Sequence, residues 1–344
     1  MFTTTVRRTG EERTAARGDG APALRLDDRP SMSRAGGESG TGGTNDSVTV
    51  TVFAVVVLLA SGNAVAVRIS NYELDWLWGA TLRFLLAAVL VVAVMMLRRQ
   101  SWPRRAQLRG AVAFGALSLA GTFTLTYWAL QTIQAGTSQT LLALVPLATL
   151  LIAAAIGQER LTARGLAGAL LAVTGVAIVA WRPAAGAVPV SAVLAMLGAV
   201  VCMASGTILV RRSPSIDPLA MNATGILVAA GLLTSAALAT GRQPTLPTQP
   251  VTWAAVLYVA AVGSVVVFSL QLVVLRRWSA SRANYGFVLI PPLTILLSAW
   301  IDDEPVGLGL VFGGTLIAAG VYLGALRGSW HLRGRNGSAH PAAS

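Results

Sequence analysis

Ten apolar runs occupy most of the chain, and each is about the length of one helix that crosses a bilayer. The hydrocarbon core of a membrane needs roughly 20 apolar residues per helix. Lipid offers no partners for the open hydrogen bonds of a strand edge, so each run is predicted to be helical. The predicted spans are 48–67, 76–97, 109–129, 134–156, 164–181, 190–210, 218–240, 251–275, 282–301 and 306–326. The expected fold is an all-α membrane protein with ten transmembrane helices.

The composition favours lipid over water as the main solvent. Hydrophobic residues make up 54% of the chain and charged residues 12%, whereas soluble domains average about 25% charged residues. The net charge of +12 would suggest nucleic acid in a soluble protein, but here the arginines lie between apolar runs. That placement is typical of a membrane surface. We therefore expect a lipid bilayer, and no nucleic acid, as the partner.

The sequence contains no pattern for a cofactor, a metal or a catalytic centre. The one cysteine, Cys202, lies inside an apolar run, and both histidines, His331 and His340, follow the last run. These residues form neither a disulfide framework nor a metal-ligand set. A phosphate-binding loop is also missing, so an activity driven directly by ATP hydrolysis is disfavoured. An intramembrane enzyme is therefore the weakest alternative, because the spans offer no histidine and no deep carboxylate.

The two ends of the chain differ from the apolar middle. Residues 1–47 are rich in Gly, Ser, Thr and mixed charge and are predicted to be a disordered cytoplasmic tail. Met32 is an alternative start to Met1. Residues 327–344 form the predicted cytoplasmic C-terminal tail.

Arginine placement predicts the orientation in the cytoplasmic membrane. If the N-terminus is cytoplasmic, the cytoplasmic loops and C-terminal tail hold fifteen arginines, whereas the outer loops hold three, Arg68, Arg182 and Arg242. Positively charged loops stay on the cytoplasmic side. Both termini are therefore expected in the cytoplasm, which agrees with an even number of spans.

The two halves of the chain share residues in register. Four residues of the first half reappear 145 residues later, each as the same residue type. The pairs are Pro146 with Pro291, Glu159 with Glu304, Gly168 with Gly313 and Gly175 with Gly320. Because each half holds five spans, the second copy would be inverted in the membrane. Inverted repeats are a common construction for carriers that alternate access around a midplane site.

Several segments together resemble the EamA branch of the drug/metabolite transporter superfamily. The resemblance spans roughly residues 50–326 and divides them into repeats at 48–181 and 190–326. The segments that carry it are Arg83-Phe84, Tyr127-Trp128-Ala129-Leu130, Leu144-Val145-Pro146-Leu147, Glu159-Arg160-Leu161, Gly168 through Gly175, Leu289-Ile290-Pro291-Pro292, Glu304 and Gly313 through Gly320.

The resemblance implies a secondary transporter that works by alternating access. Members of the family export amino acids, metabolites and drugs, so the expected activity is export of a small organic molecule. A membrane sensor or partner subunit that does not transport is the alternative that the sequence leaves open.

Arg83 is the ionisable residue that lies well inside a predicted span. An intramembrane charge marks a functional site by default, and here it could attract a carboxylate or a phosphate. Two structural interpretations stay open: the side chain could snorkel to the outer interface or bond to backbone carbonyls. No carboxylate lies at membrane depth, which disfavours proton exchange. Glu159 and Glu304, just past their spans, are expected to cap a helix or pair with a loop arginine.

Uncharged polar residues supply the other candidates for substrate binding. Thr124, Tyr127 and Gln131 recur at helical spacing on one face of the third span. Gln139 and Asn284 share the offset of 145 and are predicted to face one central cavity. Asn63, Thr207, Gln271 and Tyr285 are further candidates. Such residues also join helices by hydrogen bonds, and the glycines of the fifth and tenth spans permit tight packing or a homodimer.

Overall fold

A computed structural model describes residues 41–158, 162–180, 188–214, 216–267, 270, 274 and 286–326. All regular secondary structure in these ranges is helical. The helices are α1 Thr41–Asn71, α2 Trp76–Leu97, α3 Arg105–Ala129, α4 Ala135–Ala155, α5 Ala163–Ala180, α6 Val190–Arg212, α7 Pro218–Ala239, α8 Pro250–Val266, α9 Gly286–Ile301 and α10 Leu308–Val321.

The described helices are those of a membrane protein. Six of them (α1, α2, α3, α4, α6 and α7) are long and apolar enough to cross a bilayer, and the other four are shorter apolar helices. The helical prediction for the apolar runs is therefore confirmed, whereas the ten-span inverted layout stays a prediction. Helix α1 begins at Thr41, before the predicted start at residue 48. Extending an existing helix costs far less than starting one, so a span readily continues into flanking polar residues.

Helices α3, α4 and α8 depart from regular α geometry, and a short π-helical segment, Tyr322–Leu326, follows α10. In α3 a π-helical segment runs from Phe114 to Gly121, and in α8 another runs from Tyr258 to Val266. Helix α4 is interrupted between Leu142 and Val145, just before Pro146. Proline lacks a backbone donor and crowds the preceding turn, so it explains the break in α4. Segments of π-helix occur frequently at functional sites.

Glycines bring α5 and α10 into direct backbone contact. A Cβ atom at Gly168 would lie 2.5 Å from the carbonyl oxygen of Gly320, and one at Gly320 would lie 2.6 Å from that of Gly168. Gly175 and Gly313 show the same reciprocal relation, at 2.7 Å in both directions. The two helices therefore cross antiparallel, and no larger side chain fits at these four positions. This close approach is how small residues hold membrane helices together.

The hydrophobic core mixes the two halves of the chain. One buried cluster combines residues of α1, α2 and α3 with residues of α7 and α8. A second cluster combines α4 and α5 with α6 and α10. Aspartates cap equivalent helices, because Asp75 accepts from the first amides of α2 and Asp217 from those of α7. The described parts of the two halves pack as one interleaved bundle.

Candidate functional site

A cavity of about 120 Å³ lies where helices of both halves meet. This volume is several times what one water molecule needs. Most of the lining is apolar, with four polar side chains among it. The lining residues are Ala60, Asn63, Ala64, Val67, Thr122, Phe123, Thr126, Gln139, Leu142, Ala143, Met203, Phe287, Ile290 and Pro291. A mainly apolar cavity with a few placed polar groups is the usual form of a small-molecule site.

Two of the polar lining residues have unused hydrogen-bonding capacity. The Oδ1 atom of Asn63 and the Oγ1 atom of Thr126 are buried and have no hydrogen-bond partner among the described residues. Thr122 differs, because its hydroxyl lies 3.2 Å from the carbonyl oxygen of Leu117 and 3.3 Å from that of Ala199. Buried polar groups normally have partners. Asn63 Oδ1 and Thr126 Oγ1 are therefore buried polar atoms of this cavity with free capacity for a ligand, and Gln139 is the further polar lining residue.

Arg83 lies behind the cavity and is completely buried. Its Cζ atom sits 4.2 Å from the ring centroid of Phe123, which lines the cavity, and 5.4 Å from that of Phe84. Its Nε and Nη2 atoms each lie 3.4 Å from the hydroxyl oxygen of Ser264. Such long contacts are weak hydrogen bonds. In the observed conformation Arg83 does not snorkel to an interface.

The other predicted site residues are placed differently. Tyr127 is fully buried next to α2, and its hydroxyl has no hydrogen-bond partner among the described residues. Thr124 donates to the carbonyl oxygen of Ala120 at 2.7 Å, and Thr207 to that of Met203 at 2.9 Å. Neither threonine lines the cavity. Gln271, Asn284 and Tyr285 lie outside the described residues, as does Glu159. Of the predicted amide pair, only Gln139 is described, and it lines the cavity.

The structure adds cavity residues that the sequence pattern missed. Thr122, Phe123 and Thr126 point to the cavity from α3. They follow directly after the π-helical segment Phe114–Gly121. Thr124 and Tyr127, chosen for their α-helical spacing, belong to the same α-helical stretch but are not among the lining residues. A run such as GTFTLT, with polar residues at every second position, is the signal that could have identified this region.

An ion-paired cluster joins the two halves near the ends of α1 and α9. The Nε atom of Arg68 lies 3.0 Å from Asp302 Oδ2 and 2.8 Å from Glu304 Oε1. Tyr72 donates to Asp302 at 2.8 Å, and burial, followed by this hydrogen bond, raises the pKa of its hydroxyl. We call Arg68, Tyr72, Asp302 and Glu304 the Arg68 cluster.

Glu304 also fixes the start of α4. It is 7% exposed and accepts from the backbone amide of Ala135, which lies 3.0 Å from Oε1 and 3.1 Å from Oε2. Glu304 therefore both caps a helix and pairs with an arginine, in agreement with the sequence-based expectation. Because Arg68 also donates to the carbonyl oxygen of Ile133 at 2.5 Å, the cluster connects α1, the α3–α4 turn and the α9–α10 turn.

A second set of polar contacts joins the start of α2 to the segment before α8. Arg242 pairs with Asp75, and Glu73 accepts from the backbone amide and hydroxyl of Thr248. These hydrogen bonds lower the pKa of the exposed Glu73 carboxyl to about 2. The residues Asp75, Glu73, Asp302 and Glu304 are thus engaged with partners at the ends of helices. In the described ranges no cluster of His, Cys, Asp or Glu could hold a metal ion.

Comparisons with known proteins give one consistent result. The sequence model of the EamA-like transporter family matches residues 48–181 and 190–325. A protein of Streptantibioticus cattleyicolor named "Probable terminal-alkyne amino-acid exporter" is 27% identical over 284 residues, which cover 80% of this chain and 92% of that protein. A solved crystal structure matches with a TM-score of 0.56 and 21% identity, over 83% of this chain and 98% of the other. This last likeness concerns the fold alone.

Proposed function

Because this chain belongs to the EamA-like transporter family, we propose that it is a secondary transporter that exports a small organic metabolite by alternating access. Family membership makes it a multi-pass membrane transporter of small molecules. The observation that carries the rest is the cavity, which takes its lining from α1, α3 and α4 of one half and from α6 and α9 of the other. A site between two halves is the position that changes access when the halves rock against each other.

Two structural features support a pair of inverted five-helix repeats. Under the offset of 145 residues between the two halves, Gly168 corresponds to Gly313 and Gly175 to Gly320. It therefore exchanges the contact between Gly168 and Gly320 with the contact between Gly313 and Gly175, as a two-fold axis would. The same offset moves the π-helical segment Phe114–Gly121 to residues 259–266, inside the second such segment, Tyr258–Val266.

The relative's name supports an amino acid as the substrate class. That protein is named for export of an amino acid with an alkyne tail, and the cavity described above combines apolar walls with free polar atoms at Asn63 and Thr126. We extend this class to the present chain. No metal or cofactor is part of the proposed mechanism.

We propose that the protein lies in the cytoplasmic membrane and that both of its termini are in the cytoplasm. Arg68 and Arg242, the described arginines of the predicted outer loops, are paired with carboxylates, which reduces the positive charge of that side. A reporter that is active only in the cytoplasm should work after Arg335 and fail near Arg242, because arginine-rich loops stay inside. The reverse pattern would show that the orientation is inverted.

The transport proposal is tested with Gln139→Leu in proteoliposomes. Vesicles loaded with one unlabelled amino acid from a panel are diluted into the labelled compound, and counterflow is measured. The variant should slow counterflow about tenfold, since one lost hydrogen bond is worth roughly 1.5 kcal/mol.

The control is Gln131→Leu, the same change at an exposed turn where the amide bonds to the carbonyl oxygen of Trp128. This variant should transport at the wild-type rate. Absence of counterflow for every compound by the wild-type protein would contradict the transport proposal. Equal rates for wild type and Gln139→Leu would remove Gln139 from the site.

A further inference from the structure

Arg83 is a buried cation that has no carboxylate beside it among the residues that the structure describes. Its side chain is 0% exposed, and its Nη1 atom has no hydrogen-bond partner in the part of the chain that the structure describes. The ion pairs among described residues join Arg68 to Asp302 and Glu304, and Arg242 to Asp75. None of them reaches Arg83. A buried charge is normally paired and fully hydrogen-bonded, so Arg83 is an exception that calls for a function.

Unused polar atoms gather around the same place. A Cβ atom on Gly263 would lie 2.7 Å from Asn63 Oδ1 and 3.4 Å from Arg83 Nη2, so both side chains converge on this glycine of α8. The carbonyl oxygen of the next residue, Ser264, accepts a hydrogen bond from Asn222 Nδ2 at 3.2 Å. The Oδ1 atoms of Asn63 and Asn222 have no hydrogen-bond partner among the described residues. Side chains of α1, α2, α7 and α8 thus meet around Arg83.

The ring of Phe123 separates this buried cation from the cavity. One face of the ring stands 4.2 Å from the Arg83 Cζ atom, and the same residue lines the cavity with Asn63. The electron-rich face of an aromatic ring attracts a cation, most strongly where water is excluded. Phe123, together with the nearby hydroxyl of Tyr127, therefore takes the place of a counter-ion in this structure, although more weakly than a carboxylate would.

We propose that Arg83 is a concealed anion site that receives the carboxylate of the transported compound when the Phe123 ring turns aside. This inference rests on the proposed transport function and names its substrate class. A guanidinium binds a carboxylate through two parallel hydrogen bonds. One cation neutralises one negative charge, so a monocarboxylate is favoured over a doubly charged phosphate. The apolar walls of the cavity select an apolar body for this compound.

Binding of two simple probes tests the anion site without knowledge of the natural substrate. Phenylacetate and phenylacetamide have nearly the same shape, and only the first carries a negative charge. Purified protein in lipid nanodiscs should bind phenylacetate at least about tenfold more tightly. Arg83→Gln should bind the two probes equally, and Arg83→Lys, which keeps the charge without the two parallel donors, should retain part of the preference. An unchanged preference in Arg83→Gln would overturn the proposal.

Phe123→Leu provides a second measurement that does not depend on removing the charge. Without the ring, the empty protein should melt at a lower temperature, because Arg83 loses its substitute partner. Phenylacetate should restore the melting temperature and bind at least about threefold more tightly than to wild type, whereas phenylacetamide should do neither. Equal responses to both probes would contradict the role of Phe123 as the cover of a cation.

The two proposals fail separately. Counterflow of a panel compound together with equal binding of both probes would leave the transporter standing and remove the anion site. A preference for phenylacetate that depends on Arg83, without counterflow of any compound, would support the anion site and contradict the transport proposal.

Discussion

Substitution of Gly175 by leucine is expected to abolish most of the folded protein in the membrane. A side chain at this position meets backbone as well as the Ile317 side chain, because its Cβ atom would lie 2.7 Å from the Gly313 carbonyl oxygen and 2.9 Å from the Ile317 amide nitrogen. Neither group can move unless α5 and α10 separate. Overpacking of this kind costs about 3 kcal/mol, which is roughly a 150-fold change in a folding equilibrium.

The matched control for this substitution is Gly231→Leu in α7. Gly231 also lies inside a long apolar helix, but no atom lies within 4 Å of a Cβ placed there. The fraction of detergent-extracted protein that elutes as a single species should fall sharply for Gly175→Leu and stay near wild type for Gly231→Leu. Equal recovery of both variants would show that the contact between α5 and α10 does not hold the bundle together.

Loss of the Glu304 charge is expected to open the cavity toward the side that carries the Arg68 cluster. Glu304 holds Arg68 of α1 and the first amide of α4 together from a nearly buried position. In Glu304→Gln the side-chain amide keeps one oxygen as an acceptor, and its NH₂ group faces the donors that Glu304 accepts from, Arg68 and the Ala135 amide. Removal of one partner from a buried ion pair is strongly destabilising, so the observed contact between α1 and the start of α4 should become less populated by at least about tenfold.

A thiol reporter measures this opening. The chain has one cysteine, so Cys202→Ala gives a thiol-free background, and Ala64→Cys places a thiol on the cavity wall. A maleimide that does not cross membranes should label intact cells slowly when Glu304 is present and about tenfold faster in Glu304→Gln. The same experiment on inside-out vesicles reports access from the other face.

Glu73→Gln is the control for the charge itself. Glu73 is exposed, and it bonds to Thr248 rather than to the Arg68 cluster. This variant should label at the rate of the parent. If Glu304→Gln labels no faster than Glu73→Gln, the Arg68 cluster does not control access to the cavity.

The sequence predicted the helices well because their signal is local. Each apolar run overlaps a described helix, and the helix-breaking effect of Pro146 agrees with the interruption in α4. Arg83 was likewise identifiable from one property, a charge inside an apolar run. These features depend on residues within about twenty positions of each other.

The contacts of the site depend on distant parts of the chain, and no local pattern encodes them. Arg68 meets Asp302 across a separation of 234 residues, and Arg83 meets Ser264 across 181. Helix faces were also hard to assign, because lipid and protein both present apolar surroundings to a membrane helix. Thr124 and Thr207 therefore resembled cavity residues in sequence, although each bonds to its own helix.

The reciprocal glycine contact between α5 and α10 has an evolutionary consequence. A contact that is exchanged with itself by a two-fold axis is isologous, so one surface patch serves both sides. A half-length ancestor that inserted in both orientations would have formed this interface from two copies of a single gene product. Each glycine would then have been selected twice over, because one mutation would have damaged both ends of the crossing. Under the proposed inverted repeat, fusion of two such genes would have released that constraint and left the second half free to acquire Ser264 and Asn222 around the buried Arg83 of the first.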